Sequence, residues 1–398
     1  MRHEDNFNNT VFSVKAILED KEGKSKGGKA RVGVLRTKSG VVETPVFLPV
    51  ATKAAAKFLS SEELNGINAR AIISNAFLLY LRPGVDLIKR IGGIHKFMNY
   101  NGVVFTDCGG FQKLRSMFLR IDNFGIHFKS PFDGSKHLIS PKSIVKIQND
   151  LGSDVGMSLD ECVPYGTNEL ITAKAMKRTH SWAKESLEEL VRMIDEGLIK
   201  ENKRMLLFGI SQGGFSEKLR AESNKFISGL RVNDIGFDGI AIGGLRIGEP
   251  IDVMLRMLKV SVENIDFERP HYLMGVGNPA DIVRAVELGI DIFDSIYPVE
   301  NARHGNLFTW QGKIDIEKTR FKDDFNPIDE GCDCFVCKNY TRAYLHHLFK
   351  THEPLAQMLA VYHNQYFMQE LMKRIRISIS EGWFYELRDK IVELYKTP

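Results

Sequence analysis

The chain has 398 residues, with 54 basic and 50 acidic side chains and a formal net charge of +4. Hydrophobic residues make up 43% and charged residues 26%, which is ordinary for a soluble globular protein and argues against a collagen-like, disordered or membrane-spanning chain. The first ten residues, MRHEDNFNNT, lack the apolar core of a signal peptide, so we expect a cytoplasmic protein. The small positive charge is weak support for a polyanionic partner.

The chain is predicted to begin with two β-strands. Apolar residues dominate 11–18 and 30–35, and the intervening stretch 21–29 is rich in lysine and glycine. A β-hairpin with a long tip is the simplest interpretation of this pattern.

Eight short apolar runs follow, each ending in glycine, aspartate or another small polar residue. They cover 45–49, 71–75, 102–110, 154–161, 206–214, 239–245, 271–277 and 291–298. Helical patterns separate most of them, at 61–64, 141–151, 170–193, 217–230, 251–262 and 280–288. Apolar strands that alternate with helices predict an α/β fold, and eight of them over about 250 residues favour a (β/α)8 TIM barrel. An open doubly wound sheet is the alternative, but it usually carries a GxGxxG loop, of which we find no convincing copy.

The ends of these strands carry the candidate catalytic groups, because barrel enzymes place their active site at the C-terminal ends of the strands. The residues at these positions are Asp107, Asp160, Gln212, Gly244, Met274 and Asp294. Carboxylates around one pocket are typical of chemistry at an acetal-like carbon, with one carboxylate as nucleophile and another group as acid/base. A single strand-end aspartate can equally cap a loop or pair with an arginine.

The cysteines predict a metal site near the C-terminus. Three of the five, Cys332, Cys334 and Cys337, lie within six residues at C-x-C-x₂-C spacing. Thiolates at this spacing favour a structural zinc ion, whereas an iron–sulfur cluster would require a fourth cysteine. The spacing leaves the fourth ligand open among four downstream histidines, His346, His347, His352 and His363.

These patterns divide the chain into three parts. We expect an N-terminal β-hairpin or sheet over 1–42 and the barrel with its catalytic strand ends over 43–310. Residues 311–398 are predicted to form a zinc-binding subdomain and closing C-terminal helices.

The chain also resembles the bacterial tRNA-guanine transglycosylases, from about Phe12 to about Ile377. The matching stretches are Thr44–Val50, Leu81–Gly84, Gly92–Met98, Thr106–Gln112, Asp133–His137, Asp160–Cys162, Arg178–His180, Gln212–Gly214, Ile242–Leu245, Tyr272–Gly277, Phe293–Asp294, Asn301–Arg303, the three clustered cysteines and Arg342–His347. The family fold is a (β/α)8 barrel with a zinc-binding subdomain, in agreement with the pattern of the residues.

The resemblance implies a pentosyltransferase that exchanges a guanine in tRNA, at wobble position 34, for a 7-deazaguanine base. Matched motif by motif, Asp294 would be the nucleophile and Asp107 the general acid/base. The residues implied in base binding are Phe111, Asp160, Gln212, Gly244, Leu245 and Met274. The zinc ligands would be Cys332, Cys334, Cys337 and His363. The resemblance also implies a homodimer, in which Tyr340, Tyr344 and His347 could pack.

Several residues depart from the family pattern. The family's Pro-Thr-Arg-x-Ala-Arg is replaced by Pro-Val-Glu-Asn-Ala-Arg at 298–303, so that Glu300 stands where an arginine would read flanking nucleotides, while Arg303 remains as the implied RNA contact. Cys108 and Leu78 replace a serine and a histidine beside the expected base site. Ile247 follows the bacterial pattern and favours a small substituent such as aminomethyl over queuine.

Three alternatives therefore stand beside tRNA-guanine exchange. One is a relative with the same chemistry on another nucleic acid or another tRNA position, and a second is a non-catalytic, zinc-containing RNA-binding partner subunit. A third is a barrel glycoside hydrolase, although the tryptophans that usually line such clefts lie here away from the predicted strand ends, at Trp182, Trp310 and Trp383.

Overall fold

The computed structural model describes residues 10–18, 29–107 and 117–396. A three-stranded antiparallel sheet opens the chain, formed by β1 (Phe12–Ile17), β2 (Arg31–Arg36) and β3 (Val41–Thr44). The predicted hairpin is confirmed as the pair β1–β2, and the sequence analysis missed β3. The predicted tip at 21–28 lies outside the described residues.

The centre of the molecule is an eight-stranded parallel sheet. Its strands are β4 (Val46–Leu48), β5 (Ala71–Asn75), β6 (Val103–Asp107), β10 (Val155–Met157), β11 (Leu206–Ser211), β14 (Gly239–Ile242), β15 (His271–Leu273) and β16 (Ile292–Asp294). From β5 onward each strand pairs with the next in this order, and β16 pairs with β4. Ala51 N–H donates to Ile73 O at 2.7 Å, which joins the end of β4 to β5. All eight predicted strands and the (β/α)8 barrel are confirmed.

Helices surround the barrel, and several of them begin at capping residues that the sequence carries. They are α1 (Ser61–Gly66), α2 (Ala76–Leu81), α3 (Val85–Ile91), α4 (Ile94–Met98), α5 (Pro141–Leu151), α6 (Glu169–Asp195), α7 (Glu217–Gly229), α8 (Ile251–Val262), α9 (Pro279–Glu287) and α10 (Tyr297–Arg303). The start of α5 shows the local cause: Ser140 accepts from the backbone of Ser143, and Pro141 occupies the first helical position. Short additions outside the barrel are β12 (Arg231–Val232), β13 (Ile235–Gly236) and two 3₁₀ turns at Glu201–Lys203 and Thr319–Phe321.

An antiparallel sheet is inserted between β6 and α5, and the sequence analysis missed it. It consists of β7 (Phe118–Asp122), β8 (Gly125–Lys129) and β9 (Lys136–Ile139). Phe128 of this sheet is buried against Phe77 of α2, with ring centroids 4.4 Å apart. The insertion therefore covers the helix that follows β5.

The C-terminal part joins a hairpin to four helices. These elements are β17 (Asn306–Thr309), β18 (Gly312–Asp315), α11 (Phe335–Asn339), α12 (Arg342–Lys350), α13 (Pro354–Glu381) and α14 (Phe384–Tyr395). The long helix α13 is hydrogen-bonded to β4 and to the residue before it. Gln369 Nε2 donates to Phe47 O at 3.2 Å, and Arg376 Nη1 donates to Pro45 O at 2.7 Å. No helix among the described residues is long and apolar enough to cross a membrane.

A buried ion pair ties the N-terminal sheet to the barrel. Arg31 of β2 donates to both carboxylate oxygens of Asp291, at 3.0 and 2.6 Å, and both side chains are fully buried. Asp291 precedes β16, so the pair joins the sheet to the end of the barrel opposite the catalytic strand ends. The division into parts at residues 42 and 310 stays a prediction.

Candidate active site and metal cluster

The last barrel strand ends at Asp294, whose carboxylate is oriented by its neighbour strand. The buried Tyr272 of β15 donates its O–H to Asp294 Oδ1 at 2.6 Å, and Gly275 N–H donates to the same oxygen at 3.0 Å. Burial raises the pKa of Asp294, and these two hydrogen bonds act in the opposite direction. Among the described residues no hydrogen bond reaches Oδ2, so this oxygen is available to a reacting atom.

Asp107 ends β6 and shares this pocket with Asp294. Asn75 Nδ2 donates to Asp107 Oδ1 at 3.2 Å, while Asn75 Oδ1 accepts from Leu78 N–H at 2.9 Å and so caps α2. Burial, the charge and hydrogen bond of Asp294, and the charge of Asp107 together raise the pKa of Tyr272 well above its usual range. The charges of both aspartates therefore act on one phenol.

A second pair lies at the ends of the two neighbouring strands. Gln212 Nε2 donates to Asp160 Oδ2 at 2.6 Å, and both side chains are buried. Burial raises the pKa of Asp160 to about 7, opposed by the Gln212 hydrogen bond and assisted by the charge of Glu161. Glu161 itself is paired with Arg178 of α6.

Gln212 also presents an acceptor without a partner. Its Oε1 is buried and makes no hydrogen bond to the described residues. An unsatisfied buried acceptor costs about 1–3 kcal/mol, which a ligand N–H would recover. A planar base with N–H donors fits this position.

The loop after β14 closes the pocket on the same side. Gly244 has φ 68°, and a Cβ there would lie 2.5 Å from Gln212 Oε1, so this position requires glycine. Arg220, fully buried in α7, donates to the carbonyl oxygens of Gly214 and Gly243 at 2.7 Å and of Gly244 at 3.1 Å. Burial lowers the pKa of Arg220 to about 10. The sequence analysis missed Arg220, because no motif distinguishes it from an arginine on a solvated helix face.

The remaining predicted site residues follow barrel strands or lie outside the described residues. Leu245 is buried and Met274 is half-buried directly after β15. Arg303 is exposed in the last turn of α10, the helix that follows Asp294, and Glu300 is exposed on the same helix. Phe111, expected to stack on the base, lies outside the described residues, as does Cys108.

The three clustered cysteines and His363 form a site whose geometry fits a metal ion. The ligand atoms all lie within 4.8 Å of one another, and His363 Nδ1 is 3.9, 3.5 and 3.4 Å from the sulfurs of Cys332, Cys334 and Cys337. Tetrahedral zinc, with bonds of about 2.3 Å to sulfur and 2.0–2.1 Å to nitrogen, implies sulfur–nitrogen distances of about 3.6 Å.

The tautomer of His363 agrees with a role as metal ligand. The ring is fully buried, and Nε2 donates to Phe308 O at 2.7 Å, which leaves the lone pair on Nδ1 facing the sulfurs. His346 instead contacts Ile316 O through Nδ1 at 2.8 Å, and His347 is exposed. Of the four histidines left open by spacing, His363 is therefore the one that completes the cluster.

The fold and these groups define a (β/α)8 enzyme with carboxylates at its strand ends and a Cys₃His cluster in its C-terminal part. The family model described as Queuine tRNA-ribosyltransferase matches residues 25–397, and the chain belongs to this family. The predicted family is confirmed, and so is the predicted enzyme class, the tRNA-guanine transglycosylases, which are pentosyltransferases.

Curated relatives named queuine tRNA-ribosyltransferase resemble the chain over nearly its whole length. The Fusobacterium nucleatum protein is 46% identical over 380 residues, which cover 95% of this chain and 97% of the relative. The Caldanaerobacter subterraneus protein is 43% identical over 368 residues, or 92% of this chain and 94% of the relative. The Thermotoga maritima protein is 43% identical over 377 residues, or 94% and 98%.

Proposed function

We propose that the protein exchanges a guanine in tRNA, at wobble position 34, for a 7-deazaguanine base through a covalent Asp294–ribosyl intermediate. The observation that carries this proposal is the contact of Tyr272 with Asp294, in a pocket that Asp107 shares. It supplies an oriented carboxylate and a second carboxyl group, the pair that double displacement at a ribose C1′ requires.

In the first step Asp294 Oδ2 forms a bond to C1′ while the C1′–N9 bond breaks. The electron pair of that bond leaves with guanine, which takes a proton from the carboxylic acid of Asp107. Tyr272 and Gly275 hold Oδ1 and so direct the other oxygen at the sugar.

In the second step the incoming base reverses these transfers. The carboxylate of Asp107 takes the N9 proton of the deazaguanine, N9 attacks C1′, and the C1′–oxygen bond returns its electrons to Asp294. Two inversions give overall retention at C1′, as in retaining glycosidases. The target nucleotide must leave its stack to reach the pocket.

The base is held by the pair Asp160–Gln212 and by the backbone of Gly244 and Leu245. An ionised Asp160 and the unpaired Gln212 Oε1 accept hydrogen bonds from the N1–H and amino group of a guanine-type edge. Met274 and Phe111 stack on its faces. Ile247 favours a small 7-substituent, so we infer an aminomethyl-deazaguanine and not queuine.

The RNA contact is proposed at α10, where Arg303 binds the backbone or the flanking nucleotides. Glu300 is exposed on the same helix and repels phosphate. The loss of the family's nucleotide-reading arginine at this position favours the second candidate, the same chemistry on another nucleic acid or tRNA position. The two strand-end carboxylates, whose charges both act on Tyr272, argue against a non-catalytic subunit. Because the proposed substrate is tRNA, we assign the protein to the cytoplasm.

The Cys₃His cluster is proposed to hold one structural Zn²⁺. All four positions of a tetrahedral ion would be filled by Cys332, Cys334, Cys337 and His363, so the metal would stabilise the subdomain and leave no position for substrate.

An exposed aromatic cluster on the same subdomain supports the proposed homodimer. Tyr340 stacks on Tyr344 with centroids 5.5 Å apart, Phe335 packs against Tyr340, and Phe335 and Tyr344 are 51% and 39% exposed. Replacing Tyr344 by lysine should convert a dimer to a monomer in light scattering. Phe124→Lys, at a more exposed phenylalanine of the inserted sheet, is the matched control.

Incubation with labelled guanine and unfractionated tRNA tests the function. Label should enter tRNA at position 34 and be absent with Asp294→Ala, whereas Asp252→Ala, on an exposed face of α8, should behave as wild type. Failure of zinc-loaded protein to incorporate guanine would remove the proposal. Labelling of DNA or of a different tRNA position would favour the second candidate.

A further inference from the structure

The base-binding loop after β14 contains a residue in an unfavourable backbone conformation. Arg246, two positions after Gly244, has φ 59° in the left-handed region, which residues with a Cβ seldom adopt. Such a conformation persists only where its surroundings hold it. Contacts of the Arg246 side chain and of the surrounding backbone hold Arg246 in this conformation.

The backbone of the loop is fixed by a buried carboxylate. Glu249 is 3% exposed and accepts hydrogen bonds from Ile247 N–H at 2.8 Å and from Arg246 N–H. Both N–H donors are therefore occupied by Glu249. This contact orients the peptides that follow Leu245 but does not connect the loop to the rest of the barrel rim.

The side chain of Arg246 supplies that connection. Its Nε lies 3.1 Å from Asp281 Oδ2 in α9, and the Asp281 side chain is only 3% exposed while that of Arg246 is 33% exposed. No hydrogen bond from a described residue reaches Asp281 Oδ2, so this ion pair is the main contact of that oxygen. Since α9 follows β15, the pair joins the loop after one catalytic strand to the helix after the next.

The groups around Asp281 make Arg246 its closest counter-charge. Burial raises the pKa of Asp281, the positive charges of Arg246 and then Arg284 oppose this effect, and Glu249 adds to it. Only Arg246 of these two arginines forms an ion pair with Asp281. Without Arg246 the carboxylate would lie buried beside another acid with a weaker counter-charge.

We propose that Arg246 is a positioning residue for the free base, which acts through its ion pair with Asp281 to hold the Gly244–Leu245 backbone against the base. The inference rests on the proposed function, because it assigns the base to the pocket of Gln212 and Gly244. It predicts an effect on the affinity for the free base and not on the affinity for RNA, since the loop adjoins Gln212 through Gly244.

Four variants separate the ion pair from the backbone conformation. Arg246→Ala removes the ion pair but still places a residue with a Cβ at the left-handed φ. Arg246→Gly removes both the ion pair and this conformational cost. Arg246→Lys keeps a cation within reach of Asp281. Asp281→Asn removes the charge of the partner at nearly constant size. Arg256→Ala is the matched control, because Arg256 forms an exposed ion pair with Glu217 at 3.4 Å in the neighbouring helices.

The measurements are KM for guanine, KM for tRNA and kcat in the guanine-exchange assay, with calorimetric binding of guanine and a thermal melt of each variant. We expect KM and Kd for guanine to rise about threefold to tenfold in Arg246→Ala, Arg246→Gly and Asp281→Asn. Arg246→Lys should recover part of the loss. KM for tRNA and kcat should stay at wild-type values in these variants. The control should also keep the wild-type melting temperature.

Each opposite outcome removes the inference. Unchanged guanine affinity in Arg246→Ala, or wild-type affinity in Arg246→Gly, would show that the ion pair does not position the base. A rise in KM for tRNA alone would make Arg246 an RNA contact. If wild-type protein bound guanine without exchanging it, the proposed function would fail while the binding series still tested Arg246. If it did not bind guanine, both would fail.

Discussion

Tyr272 donates its phenolic O–H to Asp294 Oδ1 at 2.6 Å, and the hydrogen bond opposes the rise in the carboxyl pKa that burial causes. The nucleophile must be ionised, so the loss of this donor should raise the pKa of Asp294 further. We expect Tyr272→Phe to lower kcat about tenfold or more, because a hydrogen bond to a charged group is worth about 1.5–3 kcal/mol. The acid limb of the kcat/KM profile should move to higher pH.

The control for this variant is Tyr100→Phe. Tyr100 is also buried and donates its O–H to Ala69 O at 2.6 Å, away from the strand ends. It should change stability without moving the pH profile. A Tyr272→Phe profile that coincides with wild type would contradict the assigned role.

Ionisation of Asp160 should lower the stability of the folded chain. Its pKa is raised from 3.8 to about 7, so the folded chain binds this proton more tightly than the unfolded chain and loses stability as pH rises between these values. Asp160→Asn should therefore be more stable than wild type at pH 8, by at most about 4 kcal/mol, and nearly equal at pH 4. Urea denaturation at both pH values measures this difference.

The same Asp160→Asn variant should bind guanine poorly, because Asn replaces one of the two acceptor oxygens of the carboxylate by an NH2 donor. Asp252→Asn, on an exposed helix position, should show neither effect. Equal stability of Asp160→Asn and wild type at pH 8 would mean that ionisation of Asp160 does not lower the free energy of unfolding.

Gly244 should not tolerate a side chain. In Gly244→Ala the new Cβ would lie 2.5 Å from Gln212 Oε1, and the residue would keep a left-handed φ of 68°. We expect KM for guanine to rise at least about tenfold, since the collision displaces a base-binding group. Gly248→Ala in the same loop also has a positive φ but meets no atom within 4 Å, so it separates collision from backbone strain. Equal losses in the two variants would refute the collision.

Removal of the metal should unfold the C-terminal part. Cys334→Ala takes away a buried ligand, so we expect loss of bound zinc and a fall in the free energy of unfolding of several kcal/mol. Metal analysis and thermal melting with and without a chelator measure both effects. Cys162→Ala should keep its zinc, because Cys162 lies outside the cluster. A Cys334→Ala protein that kept its full zinc content and stability would contradict the structural role of the metal site.

Charge reversal at Glu300 should strengthen RNA binding if α10 contacts the backbone. Glu300→Arg is expected to lower Kd for tRNA and to steepen the dependence of log K on log salt by about 1. Glu263→Arg makes the same change on an exposed residue at the other end of the barrel, where helix α8 ends. Equal slopes in the two variants would show that α10 does not contact phosphate.

The barrel was predictable because parallel strands that are buried on both faces consist of continuous apolar runs. Local capping signals such as Ser140 with Pro141 also marked helix starts. The inserted sheet was missed, since β7 contains no buried residue and β9 only one, so both short segments resemble loops. Arg220 was missed for a related reason, because the pattern of a helix does not reveal an arginine whose guanidinium is turned inward onto three carbonyl groups.

Apolar periodicity and cysteine spacing are local properties, and they were sufficient for the barrel, the strand-end acids and the metal-binding thiolates. The choice of His363 over three other histidines, the action of the Asp107 and Asp294 charges on Tyr272, and the ion pair of Arg246 with Asp281 depend on groups far apart in the chain. The barrel groups meet because of the order and register in which eight strands pair, which is a property of the packed barrel and not of any segment. His363 meets the cysteines because α13 packs on α11.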